Sequence, residues 1–198
     1  MKKKFMTSLA LSILSLNLFA NMGPQGFSEY LNSYFVETGS FFGDSIQKAL
    51  DVGFSEVRSI EYLEDSYQHC RQRFQGKDEV KLFKGSSTEK LWEMIKDIDQ
   101  PITFWLDAHI YPPIKKKPPQ NCPLIAELEQ IRQHPIKTHT ILIDDMHCCN
   151  TLAFDYLTKD DLIRKIREIN PAYEISFVPG GDAGEFPNNV MVAKVIHK

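Results

Sequence analysis

The sequence is poor in the motifs by which a chemistry usually shows itself. It has no GxSxG turn, no GxxxxGK[ST] loop and no paired CxxC. Those absences remove the motif-level case for a serine hydrolase, a P-loop nucleotidase and a thioredoxin-like or zinc-ribbon protein. It has little excess of either charge: the formal net charge is -3, so no overall field steers the chain toward nucleic acid or an anionic membrane. Nucleic acid is therefore not expected as a partner. There is no internal repeat and no long low-complexity linker. Beyond the first 20 or so residues no apolar run approaches the ~20 residues that cross a bilayer, so no stable membrane span is expected once a leader is removed. Cysteine is limited to Cys70, Cys122, Cys148 and Cys149. The adjacent Cys148-Cys149 pair cannot close on itself without strain. A bridge from one of them to Cys122 and a set of free buried thiols both remain open.

What is present suffices for one folded unit. In 198 residues, 42% are hydrophobic and 25% charged, enough apolar material for a real core. The first residues stand apart. Lys2, Lys3 and Lys4 give a basic start, Met6 to Ala20 carries no charge, and Gly23, Pro24 and Gly26 break the pattern after it. A basic start, a short apolar stretch and a small residue before a break describe a secretory signal peptide. The expectation is a leader over 1–20, a mature chain starting near Asn21 and exported to the periplasm or outside, a lead-in over 21–33, and a single domain over 34–198. An uncleaved anchor or a buried N-terminal helix is the alternative, and without a working leader the chain stays cytoplasmic.

Past the leader, short apolar runs alternate with amphipathic stretches. Strands are expected at Tyr34–Val36, Val57–Ile60, Val80–Phe83, Ile102–Leu106, Thr140–Ile143, Tyr173–Val178 and Val190–Ile196. Helices are expected at Asp44–Val52, Glu64–Phe74, Thr88–Ile98, Pro123–Ile131 and Lys159–Ile169, the last stopped by Asn170-Pro171. Strand–helix alternation with near-continuous apolar strands predicts an α/β fold: Rossmann-like, doubly wound, with a mostly parallel seven-stranded sheet that closes on a C-terminal antiparallel hairpin. In such a sheet ligands bind at the carboxyl ends of the strands, where strand order reverses. Glu37, Glu61, Ser86, Asp107, His109, Asp144 and His147 all follow apolar runs directly.

The stretch Glu37-Thr38-Gly39-Ser40-Phe41-Phe42-Gly43 lies between the first strand and the first helix. Gly39 permits a tight turn and close approach of a ligand, and Gly43 lets the helix pack near the strand. A carboxylate at Glu37 repels a pyrophosphate and suits a cationic ligand. Alone, this spacing reads as a plain turn. Glu61, about twenty residues on, stands where an acid takes both hydroxyls of a ribose. Together they suggest a nucleoside ligand rather than a dinucleotide. In the second half, Asp107-Ala108-His109 and Asp144-Asp145-Met146-His147 follow what should be adjacent strands. Several carboxylates suit Mg²⁺ or Mn²⁺, and added histidine suits Zn²⁺ or Fe²⁺. Capping acids with bystander histidines are the plainer reading.

In the stretches YFVETGSFFGDS, VRSIE, KLFKGSS, ITFWLDAH and THTILIDDMH the chain resembles the class I S-adenosylmethionine-dependent methyltransferases, most closely a group of small bacterial members of unassigned substrate. The resemblance covers about residues 34–196. It implies that Glu37, Gly39, Ser40 and Gly43 approach the amino-acid part of the cofactor, and that Glu61 binds its ribose. It also implies that Ser86 and Asp107 line the cofactor site, Ser86 standing where the family often has an acid near adenine. The second half resembles the metal-dependent O-methyltransferases. That implies a Mg²⁺ or Mn²⁺ held by Asp107 and Asp144 or Asp145, with Asp107, His109, Asp144 and His147 as the catalytic set. Without metal, His109 or His147 is the candidate general base. The implied activity is O-methyl transfer to a small molecule or sugar. An exported metal-dependent hydrolase, or a non-catalytic binding domain of the same fold, is the alternative, because a chain outside the cytoplasm lacks an obvious supply of the cofactor.

Overall fold

A computed structural model describes Met22 and residues 24–109, 120–181 and 184–196; the leader expected over 1–20 lies outside the described residues. Seven strands form one sheet: β1 (Tyr34–Thr38), β2 (Glu56–Glu61), β3 (Val80–Lys84), β4 (Ile102–Leu106), β5 (Thr140–Ile143), β6 (Tyr173–Gly180) and β7 (Phe186–Val195). Their spatial order is β3-β2-β1-β4-β5-β7-β6. The five strands from β3 to β5 run parallel, β7 is antiparallel to β5, and β6 is antiparallel to β7. The doubly wound sheet and the closing hairpin are as the strand–helix alternation predicts.

Among the described residues six α-helices accompany it: α1 (Pro24–Ser28), α2 (Asp44–Val52), α3 (Glu64–Arg73), α4 (Ser87–Ile95), α5 (Leu124–Gln133) and α6 (Lys159–Ile169). Both faces of β1, β2, β4 and β5 are buried, so successive residues of one strand enter different cores. Val36, Ile60, Phe104, Leu106, Ile141 and Ile143 pack with the apolar stripes of α4, α5 and α6. Phe35, Val57, Trp105 and Leu142 pack on the opposite face with Phe27, Ile46 of α2, and Cys70 and Phe74 at the end of α3. Thr158 caps α6: its hydroxyl accepts from the Asp161 N–H, and the Asp161 carboxylate takes the Thr158 N–H in return, which satisfies two donors at the helix start.

The lead-in is part of the core. Phe27 is fully buried and meets Phe35 and Trp105 edge-on, each with ring centroids 5.1 Å apart. Met22 is buried and bridges to Gly181. Gly23, Pro24 and Gly26 read as a break in the sequence, but Pro24 is the first residue of α1, a position where its missing N–H costs nothing. All four cysteines carry free thiols.

Candidate functional site

Strand order reverses at β1, which has β2 on one side and β4 on the other. Backbone pairing runs on past the strand ends and sets the loops side by side. Gly39 N–H donates to Ile60 C=O at 2.9 Å, Asp107 N–H to Thr38 C=O at 3.1 Å, and Asp144 N–H to Leu106 C=O at 3.2 Å. The residues that follow β1, β4 and β5 therefore share one rim. Gly39 has φ +88°, and a Cβ there would sit 2.7 Å from the Asp107 carbonyl oxygen. No other residue lets the β1 and β4 loops approach so closely. Gly43 has φ +82°, and a Cβ there would run into Phe74, so it lets the loop lie against α3. The loop is pinned to that helix: the Cys70 thiol donates to the Phe41 carbonyl at 3.3 Å, and Arg73 to the Phe42 carbonyl at 2.7 Å. Phe41 and Phe42 themselves stay exposed.

Glu37 lies beneath this loop rather than on the rim. It is fully buried, and the Ser45 and Ser59 hydroxyls donate to its two oxygens. Ser40 Oγ pairs with Ser59 Oγ in the same network. Burial pushes the Glu37 carboxyl up to about 7 against the pull of those hydroxyls. Glu61 closes β2. One carboxylate oxygen accepts the Phe41 N–H at 2.9 Å and the other the Leu63 N–H at 2.6 Å. Burial raises its pKa, offset in part by these N–H groups. Each oxygen keeps a second lone pair. Ser86 is half-buried just ahead of α4, with its hydroxyl on Thr88 Oγ1 at 2.8 Å.

On the other side of the reversal, the β4 and β5 loops bring acids and imidazoles together. His109 Nδ1 stands 3.5 Å from Asp107 Oδ1, and His109 Nε2 stands 3.1 Å from Asp145 Oδ2. The His109 ring packs against Phe154, centroids 5.1 Å apart. Asp145 has φ +54°, a left-handed conformation that costs about 1–2 kcal/mol outside glycine. That turn aims its carboxylate at His109 and starts a 3₁₀ turn, Met146–Cys148. Residues three apart eclipse in such a turn, which puts Cys148 beside Asp145. Asn189, buried on β7, donates to Asp145 Oδ1 at 3.1 Å and accepts from His147 N at 3.1 Å, and its Oδ1 lies 2.7 Å from His147 Nδ1. Asp144 points inward: it is fully buried, its Oδ1 accepts the Asp145 N–H at 2.7 Å, and its Oδ2 has no hydrogen-bond partner among the described residues.

The acids repel one another. Asp107 is held well above the usual carboxylate range by loss of water, then by Asp144, Asp145, Glu37 and Glu127. Asp144 is raised by its burial first and by Asp145 second. Glu127, on α5, is fully buried beneath the cluster, and burial lifts its carboxyl to about 7, offset in part by the nearby Ser87 and Thr38 hydroxyls.

The arrangement differs from the expected metal set in one respect. Among the described residues the group whose donor atoms all lie within 4.8 Å of one another, close enough to share an ion, is His109, Asp145 and Cys148 rather than Asp107, Asp144 and Asp145. Sequence reasoning treated Cys148 as a disulfide candidate and did not find Glu127 or Asn189. The i, i+3 spacing of Asp145 and Cys148 was the available signal for the first. Glu127 and Asn189 come from elements far along the chain, and nothing local marks them.

No protein-family model matches the sequence, and no curated protein matches it. Solved structures do match in shape. An O-methyltransferase from Bacillus cereus in complex with S-adenosylhomocysteine superposes with a TM-score of 0.59 at 17% identity, over 87% of this chain and 78% of that one. A Clostridium thermocellum protein described as an rRNA methylase gives a TM-score of 0.61 at 11% identity, over 87% of this chain and 95% of the other. The glycopeptide N-methyltransferase MtfA, complexed with sinefungin, gives 0.55 at 12% identity, over 90% and 88%. At these identities the likeness is one of architecture, and in architecture the chain has the Rossmann-like fold of the class I S-adenosylmethionine-dependent methyltransferases.

Proposed function

We propose that the chain is an S-adenosylmethionine-dependent methyltransferase acting on a hydroxyl of a small molecule or sugar. The observation that carries this reading is Glu61: a buried carboxylate at the end of β2, fixed by two backbone N–H groups beside the glycine turn at the strand-order reversal. That is where the fold binds ligands, and two fixed carboxylate oxygens match a ribose diol. A second support is charge. Glu37, Glu61, Asp107, Glu127, Asp144 and Asp145 gather at one end of the sheet, where burial and mutual repulsion raise several of them; a cationic ligand relieves that repulsion, whereas a phosphate adds to it.

S-adenosylmethionine, when bound, supplies an electrophilic methyl group on a positively charged sulfur. The chain's own work is alignment and exclusion of water, which need few reactive groups. Gly39 admits a ligand to the backbone, and Phe41 and Phe42 stand exposed on the loop above it. His147 serves as the general base for the acceptor hydroxyl. Asn189 Nδ2 donates to Asp145, so Asn189 Oδ1 must accept from His147 Nδ1. The His147 lone pair is thereby left on Nε2, on an imidazole that is 54% exposed. Export is part of the reading: cleavage after Ala20 spares Met22 and Phe27, the first core residues described. A chain delivered into a second cell would meet the cofactor there. N-terminal sequencing of the protein from its native host should return Asn21 at the first cycle, and intact Met1 would overturn export with cleavage. Calorimetry with S-adenosylhomocysteine tests the cofactor; absence of binding at about millimolar ligand, roughly -4 kcal/mol of affinity, would overturn the activity.

A further inference from the structure

We infer that His109, Asp145 and Cys148 form a binding site for a borderline transition metal of the Zn²⁺ class, distinct from the hard-cation, all-carboxylate centre that the resemblance to metal-dependent O-methyltransferases implies. The donor set is one imidazole, one carboxylate and one thiol, drawn from the β4 loop and the 3₁₀ turn after β5, with the candidate ligand atoms within 4.8 Å of one another. Ligands at about 2.0–2.3 Å on a tetrahedral ion lie roughly 3.3–3.7 Å from each other, and His109 Nε2 stands 3.1 Å from Asp145 Oδ2, close to a shared ion's edge. The side chains of His109 and Asp145 are 5% and 4% exposed and Cys148 is buried, so little water competes. Thiolate and imidazole select Zn²⁺, Co²⁺ or Fe²⁺ over Mg²⁺.

The surroundings supply the supporting contacts that such ligands need. Asp107 Oδ1 faces the other ring nitrogen of His109 at 3.5 Å; a carboxylate there fixes the tautomer and raises the basicity of the metal-facing nitrogen. Asn189 ties down Asp145 Oδ1 at 3.1 Å and leaves Oδ2 toward His109. His147 Nε2 lies 3.5 Å from Cys148 Sγ, beside the ligand thiol. Asp107 is thus an orienting group rather than a ligand, and Asp144, turned inward onto the Asp145 N–H, is not a ligand either. With three ligands from the described residues, a tetrahedral ion bound here would have a fourth position for a further donor or water.

The test is a titration of the chelator-treated full chain with Co²⁺ followed by absorbance, then displacement by Zn²⁺ and challenge with Mg²⁺. One equivalent of Co²⁺ should bind with a sulfur-to-cobalt band in the near ultraviolet and release of about one thiol proton. Zn²⁺ should displace it, and Mg²⁺ in large excess should not. Cys148→Ser should abolish the sulfur band, whereas Cys149→Ser should keep it. Asp107→Asn should keep the band while weakening affinity about 10–100-fold. Absence of Co²⁺ binding by the unmodified chain, a spectrum without the sulfur band, or equal competition by Mg²⁺ would overturn the site without any variant being needed. Binding of S-adenosylhomocysteine is measured apart from this titration, so failure here leaves the methyl-transfer reading standing.

Discussion

At the amino end of the sheet two buried histidines have their ring nitrogens matched. His134 Nε2 donates to the Ile95 and Ile98 carbonyls at 3.2 and 3.1 Å, and its Nδ1 accepts from the Ile136 N–H at 3.2 Å. His139 Nε2 stands 3.0 Å from that same Nδ1, and His139 Nδ1 accepts the Ile102 N–H at 3.1 Å. One arrangement of protons satisfies both rings. At the carboxyl end, His109 is set between two carboxylates, Asp145 is held at a positive φ, and Asp144 carries a buried oxygen with no hydrogen-bond partner among the described residues. The same residue type is a finished structural joint at one end and part of a charged, strained cluster at the other. The first arrangement serves stability; the second is where the proposed binding chemistry falls.

Substitutions should separate the two ends. The largest effect is expected at the amino end. His139→Ala removes a buried ring and leaves the Ile102 N–H without its acceptor, so unfolding free energy should fall by about 3–4 kcal/mol in denaturant melts, with affinity for S-adenosylhomocysteine unchanged. Burial, with His134 and Lys137 nearby, lowers the His139 pKa to about 3 from 6.5. The unfolded chain therefore binds the extra proton between those values, and stability is lost as pH falls from 6.5 toward 3, by about 1.4 kcal/mol per unit. The variant should show a shallower acid limb. An unchanged limb would break the assignment of His139 as a buried neutral ring.

The next effect has the opposite sign. Glu127 titrates at about 7 when folded, against 4.5. The folded state is then the one that holds the proton, and stability falls as pH rises from 4.5 to 7. Glu127→Gln removes that loss. Relative to the parent, it should gain on the order of 3 kcal/mol between pH 4.5 and 8; a difference constant with pH would contradict the buried acid. Smaller still, Asp144→Asn keeps an acceptor for the Asp145 N–H while removing a buried like charge. A gain of about 1 kcal/mol in thermal melts is expected, and a loss of that size would show that the carboxylate is compensated in a way the structure does not reveal.

The sheet was legible because its strands are continuous apolar runs closed by glycine or acid. Ile102–Leu106 and Thr140–Ile143 fall on β4 and β5 without adjustment, and the Asn170-Pro171 stop ends α6 at Ile169. α4 ends at Ile95 rather than Ile98, and β6 and β7 run longer than their apolar centres because antiparallel edge pairing tolerates polar residues. Helix α1 was hidden by Gly23, Pro24 and Gly26, whose breaking tendency is overridden by burial of Phe27. The site was legible in position but not in direction. A strand end marks where Asp144 and Asp145 lie, but which of them faces the rim depends on the positive φ of Asp145, and no local pattern announces that. Glu37 likewise stands where the cofactor loop requires an acid, yet it points under the loop to Ser45 and Ser59.

The most direct test of the central claim is calorimetry of the chain with S-adenosylhomocysteine, run beside the Glu61→Ala and His139→Ala variants under conditions where all three are folded. The account predicts saturable one-to-one binding, weakened at least about tenfold by loss of the Glu61 carboxylate, since each hydrogen bond to a charged group is worth about 1.5–3 kcal/mol, and unaltered by loss of His139. Absence of binding to the parent chain, or equal affinity in the Glu61→Ala variant, would contradict it.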